Sequence, residues 1–171
     1  ITVYDSADTE MSEGPRPLAP QVYYPRLTQS LVSALTAPTA QGVLYEVDMR
    51  LRPSGRQGPV AVSLSAFTNY QKKEAWVWEH MALTRSRGVA GPRSLLDSLE
   101  TVAAEALAMR AGRVEVLQEA REMRSRLLDV HAKDRENPWS LKLAAGGLMD
   151  MEFCGAWRRE VRSAIRLLLT Q

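Results

Sequence analysis

The sequence predicts an α+β protein, in which a small sheet-containing part is followed by a helical bundle. Three observations lead to this class. Residues 43–52 place apolar side chains at every second position, which is the period of a β-strand. Residues 95–106 and 116–127 place apolar side chains at helical spacing instead. The segment 88–92, with two glycines and one proline, separates the two kinds of pattern and marks a predicted domain boundary.

The elements before this strand follow from shorter patterns. We expect a strand at 1–4, followed by an acidic, proline-rich surface loop that ends near Pro20. A helix comes next, and Pro38 ends it because proline does not continue a helix. The apolar stripe of this helix consists of Tyr23, Leu27, Leu31 and Leu35.

The elements after the strand complete two domains. Ser65 is the predicted cap of a helix that extends into the tryptophan-containing segment near residue 76. We predict that residues 1–90 form the sheet domain and that residues 91–171 form the helical domain. The last helix opens after a Gly-Gly pair, and its apolar residues are Trp157, Val161, Ile165 and Leu168.

The composition excludes several classes of protein. One cysteine in 171 residues excludes a disulfide scaffold and a four-cysteine zinc site, and it fits a reducing compartment. The apolar runs are short, so we expect neither a membrane-spanning helix nor a signal peptide. The 22 basic and 20 acidic side chains nearly cancel, so we do not expect bulk nucleic-acid binding. An isoleucine at the start and an apolar helical pattern at the end lead us to expect a piece of a longer protein.

The predicted strand at 43–52 carries its charges on one face, namely Glu46, Asp48, Arg50 and Arg52. The ordinary interpretation is a solvated face with cross-strand ion pairs. The alternative is a site for a metal ion and a polyphosphate, because arginine binds phosphate oxygens bidentately and Mg²⁺ takes few protein carboxylates together with phosphate oxygens. The turn Pro53-Ser54-Gly55 follows directly, and its backbone N–H groups would complete such a site.

Three longer motifs resemble the glutamine synthetase adenylyltransferase family, also called the glutamate–ammonia-ligase adenylyltransferases. The first is residues 44–55 with Tyr-Glu-Val-Asp, and the second is residues 70–83 with Glu-Ala-Trp. The third is residues 141–153, where a lysine precedes Gly-Gly-Leu-Met-Asp-Met-Glu-Phe. The motifs follow the family's order, and the similarity covers nearly all of residues 1–155. Their form is similar to the adenylylating, C-terminal half of this bifunctional enzyme.

The resemblance implies a nucleotidyltransferase sheet domain of the DNA polymerase β type, present in part and followed by the helical bundle. In that superfamily three carboxylates on neighbouring strands hold two Mg²⁺ ions, and two of the three form an Asp-x-Asp pair. Asp48 matches the third, so the resemblance assigns it as catalytic residue and metal ligand. It assigns to the nucleotide the residues Arg50, Arg52, Ser54 and Gly55. No Asp-x-Asp pair occurs in the 171 residues, so we expect this chain to be inactive alone.

The implied activity is transfer of AMP from ATP to a tyrosine of glutamine synthetase, with release of pyrophosphate. The resemblance also implies a cytoplasmic, multifunctional, ATP-binding transferase that regulates nitrogen metabolism, with Mg²⁺ as cofactor and the PII protein as regulatory partner. One alternative is a non-catalytic helical docking module for PII or glutamine synthetase. Another is an arginine-rich RNA binder, which is disfavoured because two acids share the charged face of the strand with the two arginines.

The third motif contains Lys142, Asp150 and Glu152 around its Gly-Gly pair. One interpretation is structural, because acids at a helix start cap backbone N–H groups and complement the helix dipole. The other is a second-domain contribution to the nucleotide site, because the related uridylyltransferases of PII carry a similar segment. Both interpretations remain open at this point.

Other conspicuous side chains are expected to be structural. His80 is interpreted as a packed or a surface histidine rather than as a base. The neighbouring Trp76 and Trp78 are interpreted as core or interdomain packing rather than as a stacking platform. Cys154 is expected in the core, since a free cysteine behaves as a small apolar residue. Most of the arginines at 121–126 and 158–166 are expected on a solvated face, and the alternative is that they dock an acidic partner.

Overall fold

The computed structural model describes residues 1–5, 7, 10–110, 114–131, 137, 139–144, 146–155 and 158. The chain divides into two compact units, Ile1–Glu74 (unit 1) and Ala75–Gln171 (unit 2). All strands found among the described residues lie in unit 1. The described elements of unit 2 are helices, which confirms the α+β class. The predicted boundary after residue 90 falls inside unit 2 and stays a prediction. No helix in the described part of the chain has both the length and the apolar content of a membrane span.

A parallel pair of short strands organises unit 1. Its elements are β1 (Thr2–Tyr4), α1 (Pro20–Thr36), β2 (Pro38–Thr39), β3 (Gly42–Val43), β4 (Ala61–Ser63) and α2 (Leu64–Lys73). β1 pairs with β4 in parallel, with Val3 opposite Val62, which confirms the strand expected at 1–4. Ala61 and Val62 of β4 are buried.

The helix α1 forms where expected but buries a different face. Tyr24 stacks on Tyr4 of β1, with ring centroids 4.5 Å apart and ring planes within 5°. Residues four apart share a helix face, so this stacking turns Thr28 inward, where its hydroxyl donates to the Tyr24 carbonyl at 2.8 Å. The predicted stripe is therefore wrong, and three of its members are exposed, namely Tyr23, Leu27 and Leu31.

The strand predicted across 43–52 does not form. Only its first residue pairs, in the antiparallel hairpin of β2 and β3, and beyond it the Tyr45 N–H donates to the Leu35 carbonyl at 3.1 Å. The Asp48 carboxylate then accepts the Arg50 N–H at 2.9 Å, so a local turn replaces strand pairing. A strand needs a neighbour for its backbone groups, and none of the described strands pairs with this segment after β3. Its apolar face is consequently not buried, with exposed side chains at Val43, Tyr45 and Leu51.

The helix predicted from Ser65 onward is two helices. Ser63 is the N-cap of α2, and its hydroxyl accepts the backbone N–H three residues on at 3.2 Å, so the predicted cap was wrong by two residues. After a break, unit 2 begins with α3 (Val77–Leu83). The Glu79 carboxylate accepts the Trp76 N–H at 2.9 Å and thereby satisfies a backbone donor where α3 begins.

Unit 2 continues with α4 (Arg93–Arg110), α5 (Val114–Val130) and α6 (residues 148–155). The apolar stripes predicted from helical spacing lie in α4 and α5, which confirms both helices. A buried cluster joins α3 to α5, and its members are Val77, Met81 and Val116, with Ala120 and Phe153 of α6 packed against them. Of the last predicted helix, Trp157, Val161, Ile165 and Leu168 lie outside the described residues.

Candidate functional site

Asp48 and Arg50 form a bidentate pair in unit 1. Nε of Arg50 lies 2.9 Å from Oδ1 and 2.9 Å from Oδ2 of Asp48, and Nη2 lies 2.6 Å from Oδ2. The hydrogen bond to Asp48, followed by its Coulomb attraction, raises the pKa of Arg50 above its ordinary value. The side chain of Arg50 is 66% exposed and that of Asp48 is 56% exposed, so water and salt screen the pair. The alternation predicted that these residues share a face, and their side chains do meet, although no strand holds them.

Arg52 contacts backbone instead. Its Nε donates to the Gly58 carbonyl at 3.0 Å, and its Nη1 donates to the Met49 carbonyl. The guanidinium thus ties together the two ends of the loop 49–58. This loop is tightly closed, because a Cβ at Gly58 would overlap the carbonyl oxygen of the buried Pro53.

Ser54 and Gly55 form a left-handed turn in this loop, with φ of 60° and 55°. The Gly55 N–H donates to the Arg52 carbonyl at 2.8 Å, and the N–H groups of Gln57 and Gly58 donate within the turn at 3.3 Å. These three N–H groups therefore have internal acceptors in this conformation. Phosphate binding by Ser54 and Gly55 stays a prediction, and Ser54 is exposed at the surface.

Asp48 supplies the hard carboxylate oxygens that Mg²⁺ takes as ligands. Among the described residues, no group of three or more His, Cys, Asp and Glu side chains is arranged to hold a metal ion. Mg²⁺ is commonly bound through one or two carboxylates together with substrate phosphates and water. The donor chemistry therefore fits one protein ligand of a shared metal–phosphate site and does not fit a closed all-protein metal cage in this part of the chain.

Asp150 forms a second bidentate pair, in unit 2. Arg124 of α5 donates Nε to Oδ1 and Nη2 to Oδ2, both at 2.7 Å. Asp150 lies in the first turn of α6 and also accepts the Gly146 N–H at 2.9 Å, which satisfies a donor just before the helix. The hydrogen bond to Asp150 is the main cause that raises the pKa of Arg124. The Asp150 side chain is only 15% exposed, so this pair is better shielded than the one at Asp48.

The loop before α6 is closed by its own backbone. The N–H groups of Leu148 and Met149 donate to the carbonyls of Leu141 and Lys142 at 2.9 and 3.0 Å. A Cβ at Gly147 would lie 2.6 Å from the Leu141 carbonyl oxygen, so a glycine is needed for this close approach. Lys142 is exposed on this loop.

Glu152 pairs with Arg85, which follows α3, at 3.0 Å. Each acid of the third motif thus contacts an arginine from a different element of unit 2. Asp150 makes the capping contact that the structural interpretation requires, whereas a contribution of Lys142, Asp150 and Glu152 to nucleotide binding stays a prediction. The residues expected at the nucleotide therefore fall into two clusters, one in each unit.

Sequence reasoning did not indicate which arginines pair with the acids of the third motif. Arg124 belongs to the arginines expected mostly on a solvated face, and its side chain is 40% exposed while it contacts Asp150. Its partner lies 26 positions away, so no local spacing indicates the contact. Only the acid near the start of a predicted helix was a usable signal, and it does not reveal which basic residue pairs with it.

The single residues interpreted as packed have mixed outcomes. His80 is 1% exposed, which confirms a packed histidine. Trp76 is 63% exposed, so its expected packing is wrong, whereas Trp78 is half-buried. Cys154 is exposed, which corrects its expected place in the core.

Comparison with known proteins identifies what this chain is similar to. The model of the glutamate-ammonia ligase adenylyltransferase family matches residues 1–102. A bifunctional glutamine synthetase adenylyltransferase/adenylyl-removing enzyme from Mesorhizobium japonicum is 48% identical over 158 residues, which cover 90% of this chain. Enzymes of the same name from Brucella suis and Rhodopseudomonas palustris are 49% identical over 154 residues and 42% identical over 164 residues, covering 90% and 95% of the chain.

These comparisons confirm the resemblance that the three motifs indicated. The chain spans only 15% of the length of the Mesorhizobium relative and 16% of the other two. The similarity therefore concerns one segment of a much longer enzyme.

Proposed function

Because the chain belongs to the glutamate-ammonia ligase adenylyltransferase family, we propose that it is part of an enzyme that transfers AMP from ATP to a tyrosine of glutamine synthetase. The observation that carries this proposal is the pairing of Asp48 with Arg50 on an exposed segment within the family match. A carboxylate and a guanidinium at one accessible place supply a metal ligand and a phosphate ligand together. The proposal includes the partial nucleotidyltransferase-type sheet domain that the resemblance implies.

In the proposed reaction, the tyrosine hydroxyl attacks the α-phosphorus of ATP and releases its proton to water, and the bond to the bridging oxygen of pyrophosphate breaks as the new P–O bond forms. Asp48 would hold Mg²⁺, which would neutralise charge on the phosphate oxygens. Arg50 binds the phosphates, and Arg52 holds the loop 49–58 in place beside them. The two positive φ residues, Ser54 and Gly55, shape the turn that faces the nucleotide.

For unit 2 we propose a contribution of the loop before α6 to nucleotide binding. Asp150 and Glu152 act by holding this loop through Arg124 and Arg85, because both acids are engaged in ion pairs. Lys142 is the exposed cation of the loop and is the side chain that we assign to the nucleotide phosphates.

The proposal extends to the cellular setting. Glutamine synthetase is the protein substrate, PII is the regulatory partner and the location is the cytoplasm, which agrees with the single cysteine. We assign no nucleic-acid partner, because the charges nearly cancel. The 171-residue chain is proposed to be inactive alone, since one carboxylate does not hold two Mg²⁺ ions against their mutual repulsion and no Asp-x-Asp pair occurs in this sequence.

Label transfer tests this function. The 171-residue chain and a full-length relative in which this chain replaces the homologous segment are each incubated with Mg²⁺, α-labelled ATP and unmodified glutamine synthetase. We expect label on glutamine synthetase with the chimera and none with the short chain. A chimera that folds, as judged by circular dichroism, but transfers no label would refute the function, and transfer by the short chain would refute its inactivity.

A docking module is the second candidate function. The observation that favours it is an exposed apolar group in unit 2, which consists of Trp139, Leu141, Leu148 and Met151. Calorimetric titration of the 171-residue chain with PII and with glutamine synthetase tests it. Binding of either protein that is lost in Trp139→Ala supports docking, and no heat with either protein contradicts it.

A further inference from the structure

Two arginines of the same segment are held in different ways. Arg52 donates to two backbone carbonyl oxygens, which are not candidate metal ligands. Arg50 is held by the carboxylate of Asp48, which is itself the candidate metal ligand. Binding of a cation at Asp48 therefore changes the surroundings of Arg50 directly and does not compete for the carbonyl contacts of Arg52.

The guanidinium and a metal ion compete for the same atoms. Nε and Nη2 of Arg50 lie within 2.9 Å of the Asp48 carboxylate oxygens, and the Arg50 N–H also donates to Oδ1. A divalent cation bound by these oxygens would share the carboxylate with a positive guanidinium, and the two positive charges would repel each other. The pair is exposed and screened, so its disruption costs little, and the long arginine side chain is then free to reorient.

We propose that Arg50 is an exchangeable counter-ion of Asp48, which occupies the carboxylate when no metal is bound and transfers to the triphosphate when Mg²⁺ binds there. This inference rests on the proposed function, since it needs Asp48 as a metal ligand and a nucleotide as second ligand. It goes further by assigning an order of contacts. Metal binding releases the arginine that the phosphates then engage, so the two ligands assist each other through one side chain.

If Arg50 exchanges between Asp48 and the triphosphate, one substitution should change two affinities in opposite directions. Arg50→Gln removes the competitor, so Asp48 binds a divalent cation more tightly in the absence of nucleotide. The same substitution removes a phosphate ligand, so binding of the metal–nucleotide complex weakens. Without metal, wild-type Arg50 is engaged by Asp48, so the substitution changes ATP binding little. A merely structural role of Arg50 would instead weaken every kind of binding together.

The test uses the 171-residue chain and residue-resolved NMR. Mn²⁺ is titrated without nucleotide, and its affinity is measured from the paramagnetic broadening of amide signals at 46–52. We expect Arg50→Gln to bind Mn²⁺ roughly two- to fivefold more tightly than wild type, which is the scale of one exposed ion pair. Titration with ATP follows, in Mg²⁺ and in EDTA. We expect Arg50→Gln to raise the Kd roughly tenfold in Mg²⁺ and to leave it nearly unchanged in EDTA.

Two control variants separate the possible failures. Asp48→Asn should abolish the Mn²⁺ broadening, and if it does not, the metal assignment of the proposed function fails together with the exchange. If Asp48→Asn abolishes the broadening while Arg50→Gln binds Mn²⁺ no more tightly than wild type, the exchange alone is refuted. Arg52→Gln is the matched arginine control, which should not tighten Mn²⁺ binding because the guanidinium of Arg52 donates to the carbonyls of Gly58 and Met49. If Arg50→Gln and Arg52→Gln tighten Mn²⁺ binding equally, the tighter binding is explained by the loss of one positive charge at either position. This result would refute the proposal.

Discussion

The two bidentate arginine–aspartate pairs of this protein have the same chemistry and different surroundings. Arg50 and Asp48 are two positions apart on an exposed segment, so their contact orders only a few residues of chain. Arg124 and Asp150 are 26 positions apart, and their contact joins α5 to the start of α6. Asp150 also accepts a backbone N–H, and its side chain is mostly shielded from water.

This difference assigns different tasks to the two pairs. A shielded pair between distant elements stabilises a fold, because loss of either partner leaves a partly buried charge without its counter-ion. An exposed local pair adds little to stability, and its charges remain accessible to a ligand. Chemical identity alone therefore does not distinguish a structural ion pair from a candidate site. Burial and the separation of the partners along the chain do.

The strongest test compares the two aspartates in the chimeric full-length enzyme. Asp48→Asn keeps the shape but removes the charge that binds the metal, so we expect adenylyl transfer to fall at least about 100-fold with unfolding unchanged. Asp150→Asn should lower the unfolding midpoint instead. Label transfer and urea unfolding are measured on both variants. Near-normal turnover of a folded Asp48→Asn enzyme would show that Asp48 is not needed for adenylyl transfer. The pair of Asp48 and Arg50 would then be structural, like that of Asp150 and Arg124.

The closed loops beside the two pairs provide a second comparison. Gly58→Ala forces a Cβ onto the Pro53 carbonyl, and we expect it to lower the free energy of unfolding by about 3 kcal/mol. Gly147→Ala makes a milder clash, with 2.6 Å to the Leu141 carbonyl oxygen, and should cost about 2 kcal/mol. Urea unfolding of the 171-residue chain measures both. Gly155→Ala is the control, since a Cβ there meets nothing within 4 Å and should be tolerated. Unchanged stability in Gly58→Ala would show that the loop beside Asp48 is not rigid.

The two paired arginines, Arg124 and Arg50, should also differ in how much they contribute to stability. Arg124→Gln removes charge-assisted hydrogen bonds to a shielded carboxylate, so we expect the free energy of unfolding to fall by about 1.5 kcal/mol. Arg50→Gln, which removes the exposed pair, should leave stability unchanged within error.

The raised pKa of Arg124 determines how its contribution to the free energy of unfolding depends on pH. A base with a raised pKa stabilises the fold fully below its ordinary pKa, and the stabilisation is lost only as pH rises through the raised value. The difference between wild type and Arg124→Gln should therefore persist from neutral into mildly alkaline solution. A difference that disappears there would contradict the assignment.

Salt should have the smallest effect and should distinguish the pairs once more. Between about 0.1 M and 1 M salt the screening length falls from about 10 Å to about 3 Å, so exposed charges lose most of their attraction. We expect the exchange of the Arg50 Nε–H with water to rise roughly twofold over this range, and that of Arg124 to change less. Nitrogen-15 NMR of the guanidinium groups measures both rates. Equal responses would mean that the burial difference has no energetic consequence.

The accuracy of the sequence-based predictions depended on where each element finds its partners. The helices α4 and α5 were predicted from apolar spacing, because a helix satisfies its backbone within itself. The buried face of α1 was not predicted correctly, because the stacking of Tyr24 on Tyr4 determines which face is buried. The alternation at 43–52 predicted a strand that did not form, since pairing requires a neighbour that the period does not supply.

The sequence by itself determined the class, the helices of unit 2, the family and the meeting of Asp48 with Arg50, since local pattern and near neighbours suffice for each. Only the tertiary structure decided that Arg52 closes a loop and that Arg124 pairs with Asp150. The partner of Arg52 at Gly58 is a backbone carbonyl, which every residue carries, so composition gives no sign of it. The partner of Arg124 is one of 20 acidic residues in the sequence, and the packing of α6 on α5 selects it.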